Sequence, residues 1–235
     1  MLISIIIPVF NEESFIREIL IRINKVKDLK KEIIIVNDCS TDNTLRILKS
    51  ECQNLYDKLI TNQKNMGKGY SVREGIKYAN GEIIIIQDAD LEYNPKDYIA
   101  LVEPIIKLEA EVVYGSRVIE GGLRTRPKIY DTKVRLFANN FLTFLSNFLN
   151  KQSLTDCHTC YKVFLSSVLK KIPLEENGFA FCPEVTAKIS KLGIKIKEVP
   201  IDYFGRTHEE GKKIVFIDGI KAIFAIIKYN MFKKK

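Results

Sequence analysis

Short apolar segments alternate with helical patterns along the first part of the chain. The apolar segments, rich in isoleucine and valine, are residues 2–9, 32–36, 59–60 and 82–87. Apolar positions recur at helical spacing in residues 12–26, 41–52 and 69–79. Strands that are apolar on both faces are typical of parallel sheets covered by helices. The alternation therefore predicts a doubly wound α/β fold, with polar motifs at the carboxyl ends of the strands.

The pattern changes after Asp90. Helices are predicted over residues 95–108, 134–149 and 183–192, and strands over residues 111–115 and 196–203. A polar segment with two glycines and one proline, residues 121–131, predicts a mobile loop. Because no internal repeat or linker is present, we expect one catalytic domain over residues 1–213.

The pattern of residues 214–235 predicts a basic amphipathic extension at the C-terminus. Its apolar positions at helical spacing are Phe216, Ile220, Ile223, Phe224 and Ile227, and the chain ends in three lysines. A basic amphipathic helix suits an anionic membrane interface. The predicted helix at 134–149 carries four phenylalanines, which would either pack in the core or add a second membrane-facing surface.

The cysteines and the hydropathy indicate the compartment. Five cysteines, an odd number, match no secreted disulfide framework. Cys157 and Cys160 have CxxC spacing but no second ligand pair, so buried thiols are expected rather than a zinc or redox site. There is no signal peptide and no run of 18 apolar residues, so no transmembrane helix is expected. We therefore expect a cytoplasmic protein, peripheral at the inner face of the cell membrane.

The composition and the net charge limit the kinds of molecule that the protein is expected to bind. With 235 residues, 46% of them hydrophobic and 28% charged, the chain is long enough for a real core, which excludes disorder and disulfide miniatures. The net charge of +8 suits nucleic acid, anionic lipid or phosphorylated small molecules. The excess lies mostly in the last fifth of the chain and no nucleic-acid motif occurs, so a nucleic-acid partner is not expected.

Two carboxylates, Asp88 and Asp90, directly follow the predicted strand at 82–87, which contains four consecutive isoleucines. Hard oxygen ligands suit Mg²⁺ or Mn²⁺, and such a cation would bridge to a diphosphate. Glu92 can add a third oxygen. A solvated acidic turn would have the same sequence, but the position after a fully apolar strand favours a metal site.

Two further polar segments follow predicted strands. Residues 37–42 contain Asp38, which can bond a base or ribose, and residues that can cap the next helix. Residues 65–69 combine glycines with Lys68 before a helix, an arrangement that favours an anion. Neither the Walker spacing nor the dinucleotide glycine motif is present.

These motifs together resemble the family 2 glycosyltransferases of the GT-A fold. The matching segments, in the order of that family, are residues 8–12, 37–42, 65–69, 88–90 and 115–117. Residues 156–162, 198–201 and 206–213 narrow the resemblance to dolichyl-phosphate mannose synthases and prokaryotic polyprenyl-phosphate glycosyltransferases. The resemblance implies a Rossmann-like, mostly parallel sheet flanked by helices, to which the pattern of residues 214–235 adds the amphipathic C-terminal helix. Three departures from the family pattern are Asn37, often Asp, Cys160, often Gly, and the C-terminal membrane helices of many members, which are not expected here.

The resemblance also implies a role for each matched residue. The nucleotide-sugar site would be formed by Pro8, Phe10, Glu12, Asp38, Gly67, Lys68, Asp88 and Ala89, with Asp38 facing the base. The divalent metal would be held by Asp90 and Glu92. Arg117 and Arg135 would meet donor or acceptor phosphates, and Arg206 and Lys213 would close the site.

The implied reaction is an inverting transfer of a hexose from GDP-mannose or UDP-glucose to a polyprenyl phosphate. A lipid phosphate is already ionised, so the reaction needs a cationic cradle and no general base. A saccharide hydroxyl, the alternative acceptor, would need a base, for which Asp156 is the candidate; an ion pair or an N-cap is its structural alternative. A non-catalytic nucleotide-binding module is a third possibility, which the intact Asp88, Asp90, Arg117 and Arg206 disfavour.

Overall fold

The computed structural model describes residues 1–122, 124–125, 131–206 and 216–232. For residues 124–125, 131–136, 216 and 232 only the backbone is described.

A seven-stranded sheet forms the centre of the fold. Its strands, in spatial order, are β3 (Lys58–Thr61), β2 (Lys31–Asn37), β1 (Ile3–Val9), β4 (Ile83–Ile86), β7 (Lys162–Leu165), β5 (Val112–Ser116) and β8 (Lys197–Pro200). Strand β7 is antiparallel to both of its neighbours, and all other pairs are parallel. Two short strands, β6 (Arg124–Thr125) and β9 (Tyr203–Phe204), form a separate parallel pair.

Helices cover both faces of the sheet. They are α1 (Ile16–Lys25), α2 (Thr44–Ser50), α3 (Lys68–Tyr78), α4 (Tyr98–Ile106), α5 (Asp131–Asn150), α6 (Ser166–Leu169), α7 (Phe181–Lys191) and α8 (Phe216–Ile227), the last continuing into a π-helical turn at Lys228–Phe232. The four isoleucines of β4 are at most 1% exposed, as expected of a central strand between two helical layers. Each fully buried side chain of this size contributes about 1.5–3 kcal/mol of transfer free energy.

The predicted strands and helices up to Ser116 all form, within a few residues of their expected ends. Three expectations for the rest of the chain need correction. The single strand expected over 196–203 is two strands, β8 and β9, separated by Ile201 and Asp202. The expected mobile loop at 121–131 contains β6, and Asp131 already belongs to α5; residues 123 and 126–130 of this loop lie outside the described residues. Strand β7 and helix α6 were not expected at all.

The C-terminal helix α8 packs on the body of the protein. Ala222 and Ile226 form a small core with Leu142 of α5, and Ala225 contacts Ala187 of α7. The four phenylalanines of α5 lie on its open side, with exposed fractions of 75% for Phe137, 48% for Phe141, 68% for Phe144 and 74% for Phe148. Their placement in the core is therefore excluded. Among the described helices, none is both long and apolar enough to cross a bilayer.

Candidate active site

The polar motifs meet at the carboxyl ends of β1, β2 and β4. Pro8 lies in β1 opposite Val36 of β2, and Phe10 follows directly, half-buried. The side chain of Glu12, 8% exposed, lies 3.6 Å from the Nη1 atom of Arg206. The chain therefore brings its first and last described site motifs into contact.

Asp38 holds the glycine turn, which we define as residues 65–69. Its Oδ1 atom accepts hydrogen bonds from the Asn62 amide and from the Met66 N–H, and its Oδ2 atom accepts one from the Gly67 N–H. The residue is 3% exposed. In this structure Asp38 therefore shapes the turn from beneath, and its expected contact with a base stays a prediction.

Lys68 and Asp88 form a partly buried ion pair, with 2.5 Å between Nζ and Oδ1. The Sγ atom of Cys160 lies 3.5 Å from the same Nζ, and the Phe179 ring centroid lies 6.0 Å away. Burial disfavours both charges, but their mutual attraction outweighs it, raising the pKa of Lys68 and lowering that of Asp88. Both groups are therefore charged at neutral pH, and Lys68 offers a cation beside the first carboxylate of the motif.

The ionised form of Asp90 is less favourable than that of Asp88. Burial first, and then the nearby carboxylates Asp88 and Glu92, raise the pKa of Asp90 to about 7, even though the Nη2 atom of Arg206 lies 2.9 Å from its Oδ2 atom. A carboxylate whose charge is penalised in this way gains from a second cation. Ala89, between the two aspartates, is 3% exposed and packs in the core.

Glu92 binds the chain segment that carries Arg206. Its Oε1 atom accepts the Arg206 N–H at 2.7 Å and its Oε2 atom accepts the Tyr203 hydroxyl at 3.0 Å. The residue is 7% exposed. Both oxygens of Glu92 thus hold the 203–206 segment, and its expected role as a metal ligand beside Asp90 stays a prediction.

A metal of the expected kind still fits this site. Within the described ranges, no group of three or more His, Cys, Asp or Glu side chains is placed to hold an ion by itself. Mg²⁺ and Mn²⁺ bound with nucleotides commonly use one or two carboxylates and take their other ligands from phosphate and water. Asp90, whose ionised form lacks sufficient neighbouring positive charge, is the residue that suits this role.

Arg117 and Asp156 form a two-pronged ion pair beside this cluster. The Nε and Nη2 atoms of Arg117 lie 2.6 and 2.8 Å from the two carboxylate oxygens. Burial raises the pKa of Asp156, but Arg117 outweighs it and holds that pKa below its usual value. The Arg117 guanidinium also lies 5.0 Å from the ring centroid of Tyr203, which connects this pair to Glu92.

Two predicted site residues remain, Arg135 and Lys213, and the structure describes only the backbone of the first. Arg135 lies in α5, one turn before Asn139, whose amide is 3.4 Å from the Oδ1 atom of Asp156; the side chain of Arg135 is outside the description. Lys213 lies outside the described residues. The first turns of α5 thus lie next to the Arg117–Asp156 pair.

Several supporting residues were not anticipated from the sequence. Gln87, immediately before Asp88, accepts hydrogen bonds from the hydroxyls of Tyr98 and Tyr161. Glu198 accepts the N–H groups of Thr155 and Asp156. The one sequence signal for these supporting contacts was Gln87, a polar residue directly after four isoleucines.

Cys157 and Cys160 are buried free thiols, as expected, and burial raises the pKa of both.

Comparisons with known proteins agree with this geometry. The profile described as Glycosyl transferase family 2 matches residues 4–173. An uncharacterized protein of Methanocaldococcus jannaschii is 30% identical, with 98% of this chain and 93% of that protein covered. A dolichyl-phosphate beta-glucosyltransferase of Trichomonas vaginalis is 26% identical, covering 98% and 73%. A dolichol-phosphate mannosyltransferase of Pyrococcus furiosus is 28% identical, covering 98% and 65%.

Solved structures show the same fold. The crystal structure of glucosyl-3-phosphoglycerate synthase from Mycobacterium tuberculosis, in complex with Mn²⁺, UDP and glucosyl-3-phosphoglycerate, matches with a TM-score of 0.73 at 19% identity. The match covers 99% of this chain and 81% of that chain. A second structure of that enzyme, with Mg²⁺ and UDP, gives a TM-score of 0.74 at 17% identity, covering 99% and 80%. The expected GT-A architecture is confirmed.

Proposed function

The chain belongs to glycosyl transferase family 2, and we propose that it moves a hexose from a nucleoside-diphosphate sugar to a polyprenyl phosphate. That it is a glycosyltransferase follows from the family and from its curated relatives. Two of those relatives are named for dolichyl-phosphate or dolichol-phosphate glycosyl transfer. The acceptor class and the donor are our proposals, with GDP-mannose and UDP-glucose as the candidate donors.

The observation that carries the choice of acceptor is the state of Asp156. Both of its oxygens are held by Arg117, and its pKa is lowered, so it is a weak base. An acceptor hydroxyl must lose a proton during transfer, whereas a phosphate monoester is already ionised at neutral pH. A site that offers arginine in place of a free base therefore suits a phosphate acceptor better than a saccharide hydroxyl.

The proposed reaction exchanges one bond at the anomeric carbon. An oxygen of the lipid phosphate forms a bond to that carbon from the side opposite the leaving group, which inverts the configuration. The bond to the nucleoside diphosphate breaks, and the diphosphate leaves with the electron pair. When bound, Mn²⁺ or Mg²⁺ would neutralise charge on the leaving diphosphate. The protein itself would hold the two phosphate-bearing molecules and offset their negative charge.

We assign the donor side to the first half of the chain. Pro8, Phe10 and Glu12 would line the nucleotide, and Gly67 with Lys68 would approach its phosphates. Asp90 would hold the cation. Asp88 would keep Lys68 in place through the 2.5 Å ion pair. On the acceptor side, Arg117, Arg135, Arg206 and Lys213 would supply the positive charge that overcomes repulsion between two phosphates.

We also propose that the protein lies on the inner face of an anionic membrane, where its acceptor resides. The phenylalanine face, which we define as Phe137, Phe141, Phe144 and Phe148 of α5 together with Phe224 of α8, supports this. Phe224 is 68% exposed, and the two helices share a core at Leu142 and Ile226. Aromatic side chains with lysines nearby suit an anionic interface: Lys221 lies in α8, Lys228 begins the π-helical turn that follows it, and three more lysines end the chain.

A transfer assay tests the function directly. The enzyme is incubated with a panel of radiolabelled nucleotide sugars and short polyprenyl phosphates, with Mn²⁺ or with a chelator. We expect lipid-linked label with one donor and only with metal. The matched polyprenyl alcohol, which has the same chain but no phosphate, serves as the control. Transfer to the alcohol or to a free saccharide at the same rate would contradict a phosphate acceptor.

A further inference from the structure

The segment at residues 175–179 lies between the C-terminal helix and the glycine turn. On one side, the Oε1 atom of Glu176 accepts hydrogen bonds from the Nζ atom of Lys228 at 2.6 Å and from the hydroxyl of Tyr229 at 2.7 Å. Tyr229 is 1% exposed and packs with Ala187 and Ala225. The carboxylate of Glu176 is thus tied to the end of the helix that bears Phe224.

On its other side, the same segment contacts the start of α3. The Asn177 carbonyl accepts the Tyr70 N–H at 3.0 Å, and Arg73 donates to the Glu176 carbonyl and, at 2.6 Å, to the Asn177 side chain. The glycine turn fits closely beneath it. A Cβ atom on Gly67, whose φ is +93°, would lie 2.5 Å from the Asn177 oxygen, and one on Gly69 would lie 2.3 Å from the Glu176 oxygen. The turn accepts no side chain at either position.

A buried carboxylate fixes the backbone of this segment. Glu184, 0% exposed, accepts the N–H groups of Glu175 and Glu176 at 2.8 and 2.9 Å. Burial raises the pKa of Glu176, but its bonds to Lys228 and Tyr229 outweigh this and hold that pKa below its usual value. The connection therefore runs from the ionised carboxylate of Glu176 on the helix side to the backbone carbonyls of Glu176 and Asn177 on the side of the turn, and Glu184 holds the backbone N–H groups between them.

We infer that Glu176 is a positioning residue that ties the C-terminal helix to the glycine turn, so that the geometry of the donor site depends on α8 being seated. This inference rests on the proposed function, because it takes Gly67 and Lys68 to face the donor phosphates. The described part of the C-terminal extension, residues 216–232, would then belong to the donor-binding unit in addition to its expected role at the membrane.

The test uses the full chain with Glu176→Ala, its conservative counterpart Glu176→Gln, and, as a matched control, Glu103→Ala, which removes an exposed ion pair with Lys107. Hydrogen exchange is followed in the absence of nucleotide, and the affinity for UDP and GDP with Mn²⁺ is measured by calorimetry. We expect Glu176→Ala to speed exchange at residues 67–71 relative to β1 and to weaken nucleotide binding about tenfold, as for one lost charge-assisted bond. Glu176→Gln, which keeps an acceptor oxygen, should recover most of both, and Glu103→Ala should match the parent.

Tyr229→Phe provides a milder break, because it removes one hydroxyl and leaves the ring in its apolar contacts. We expect Tyr229→Phe to speed hydrogen exchange at residues 67–71 and to weaken nucleotide binding, each by about threefold. Unchanged exchange at residues 67–71 in both variants, or faster exchange spread equally over β1, would overturn the inference. Hydrogen exchange thus tests the connection from α8 through Glu176 to the glycine turn in the absence of any ligand. If the parent protein binds neither UDP nor GDP, the proposed donor is wrong whatever the exchange shows.

Discussion

Asp90 and Glu92 are two residues apart, and the fold gives them different tasks. Glu92 holds Tyr203 and the Arg206 N–H, whereas Asp90 faces the Arg206 guanidinium with a pKa raised to about 7. The difference comes from what the late strand β9 brings to the turn, which no local pattern around residues 88–92 contains. Of these two carboxylates, Asp90 is the one that has most to gain from a divalent cation.

Asp90→Asn should abolish the metal requirement together with most of the transfer, while the fold persists. Because the raised pKa means that the native state disfavours the ionised form, the neutral amide should not destabilise the protein above pH 7. The advantage of the mutant in melting temperature should be larger at pH 8.5 than at pH 5.5, where Asp90 is already protonated. Turnover, Mn²⁺ binding with nucleotide, and thermal melts in a chelator check this. Full activity in the mutant would remove Asp90 from the metal site.

Asp156→Asn distinguishes a positioning partner from a general base. Losing one member of the buried pair leaves Arg117 uncompensated, at a cost of about 3 kcal/mol in the free energy of unfolding. We expect a higher KM for the lipid phosphate and a pH profile of kcat with unchanged shape. Arg117→Lys, which cannot make two parallel bonds, should behave the same way. Loss of the acidic limb of the kcat profile in Asp156→Asn alone would instead identify a base and a hydroxyl acceptor.

Arg206→Ala should lower kcat far more than donor binding. Its guanidinium lies between Asp90 and Glu12 and over the Phe15 ring, where it can reach charge that develops on the diphosphate. A contact of this kind is worth about 10²–10³-fold in kcat, and nucleotide affinity should change by less than about threefold. Lys213→Ala, predicted from sequence alone, should act in the same direction. Lys197→Ala, which removes an exposed ion pair with Glu109, is the matched control. Turnover within twofold of the parent, as for a spectator charge, would place Arg206 outside the reaction.

At the scale of elements, the pattern predicted the parallel half of the sheet because its strands are uniformly apolar. It failed at β7, where a lysine opens a strand of only four residues. Lys162 is nevertheless 0% exposed, since its Nζ atom donates to the carbonyls of Cys157 and Thr159 and lies 4.2 Å from the Tyr114 ring centroid. A buried, carbonyl-bound lysine cannot be distinguished from a surface one by periodicity.

The candidate site was predictable where one motif lies at one strand end, as with residues 88–90. It was not predictable where a residue's partners come from distant segments. The predicted contact of Asp38 with a base stays a prediction, and nothing in the sequence pattern indicated that this carboxylate also holds the glycine turn. For Asp156 the sequence left a general base and an ion pair open, and the structure shows the ion pair with Arg117. The partner that satisfies a carboxylate is set by tertiary contacts, and these decide between a chemical and a supporting role.

At the scale of the whole molecule, the α5–α8 pair has two sides of different character. The inward side forms the small core around Leu142 and Ile226, and the outward side presents the phenylalanine face. Exposed phenylalanines spaced along one helix expose more apolar surface than scattered residues normally do. Since the first turns of α5 also reach Asp156 through Asn139, a membrane on this face would lie close to the proposed acceptor site.

Phe144→Ser with Phe148→Ser should weaken binding to anionic vesicles at least tenfold. Each ring transferred out of water contributes about 1.5–3 kcal/mol when fully buried, and partial insertion of two rings already exceeds a factor of ten. The rings are 68% and 74% exposed, so the melting temperature should change little. Leu108→Ser with Leu192→Ser, at positions 89% and 56% exposed elsewhere on the surface, is the matched control and should bind like the parent. Co-sedimentation with anionic and neutral vesicles measures both pairs; equal loss in the two double variants, or no binding by the parent to anionic vesicles, would contradict a membrane-facing role for α5.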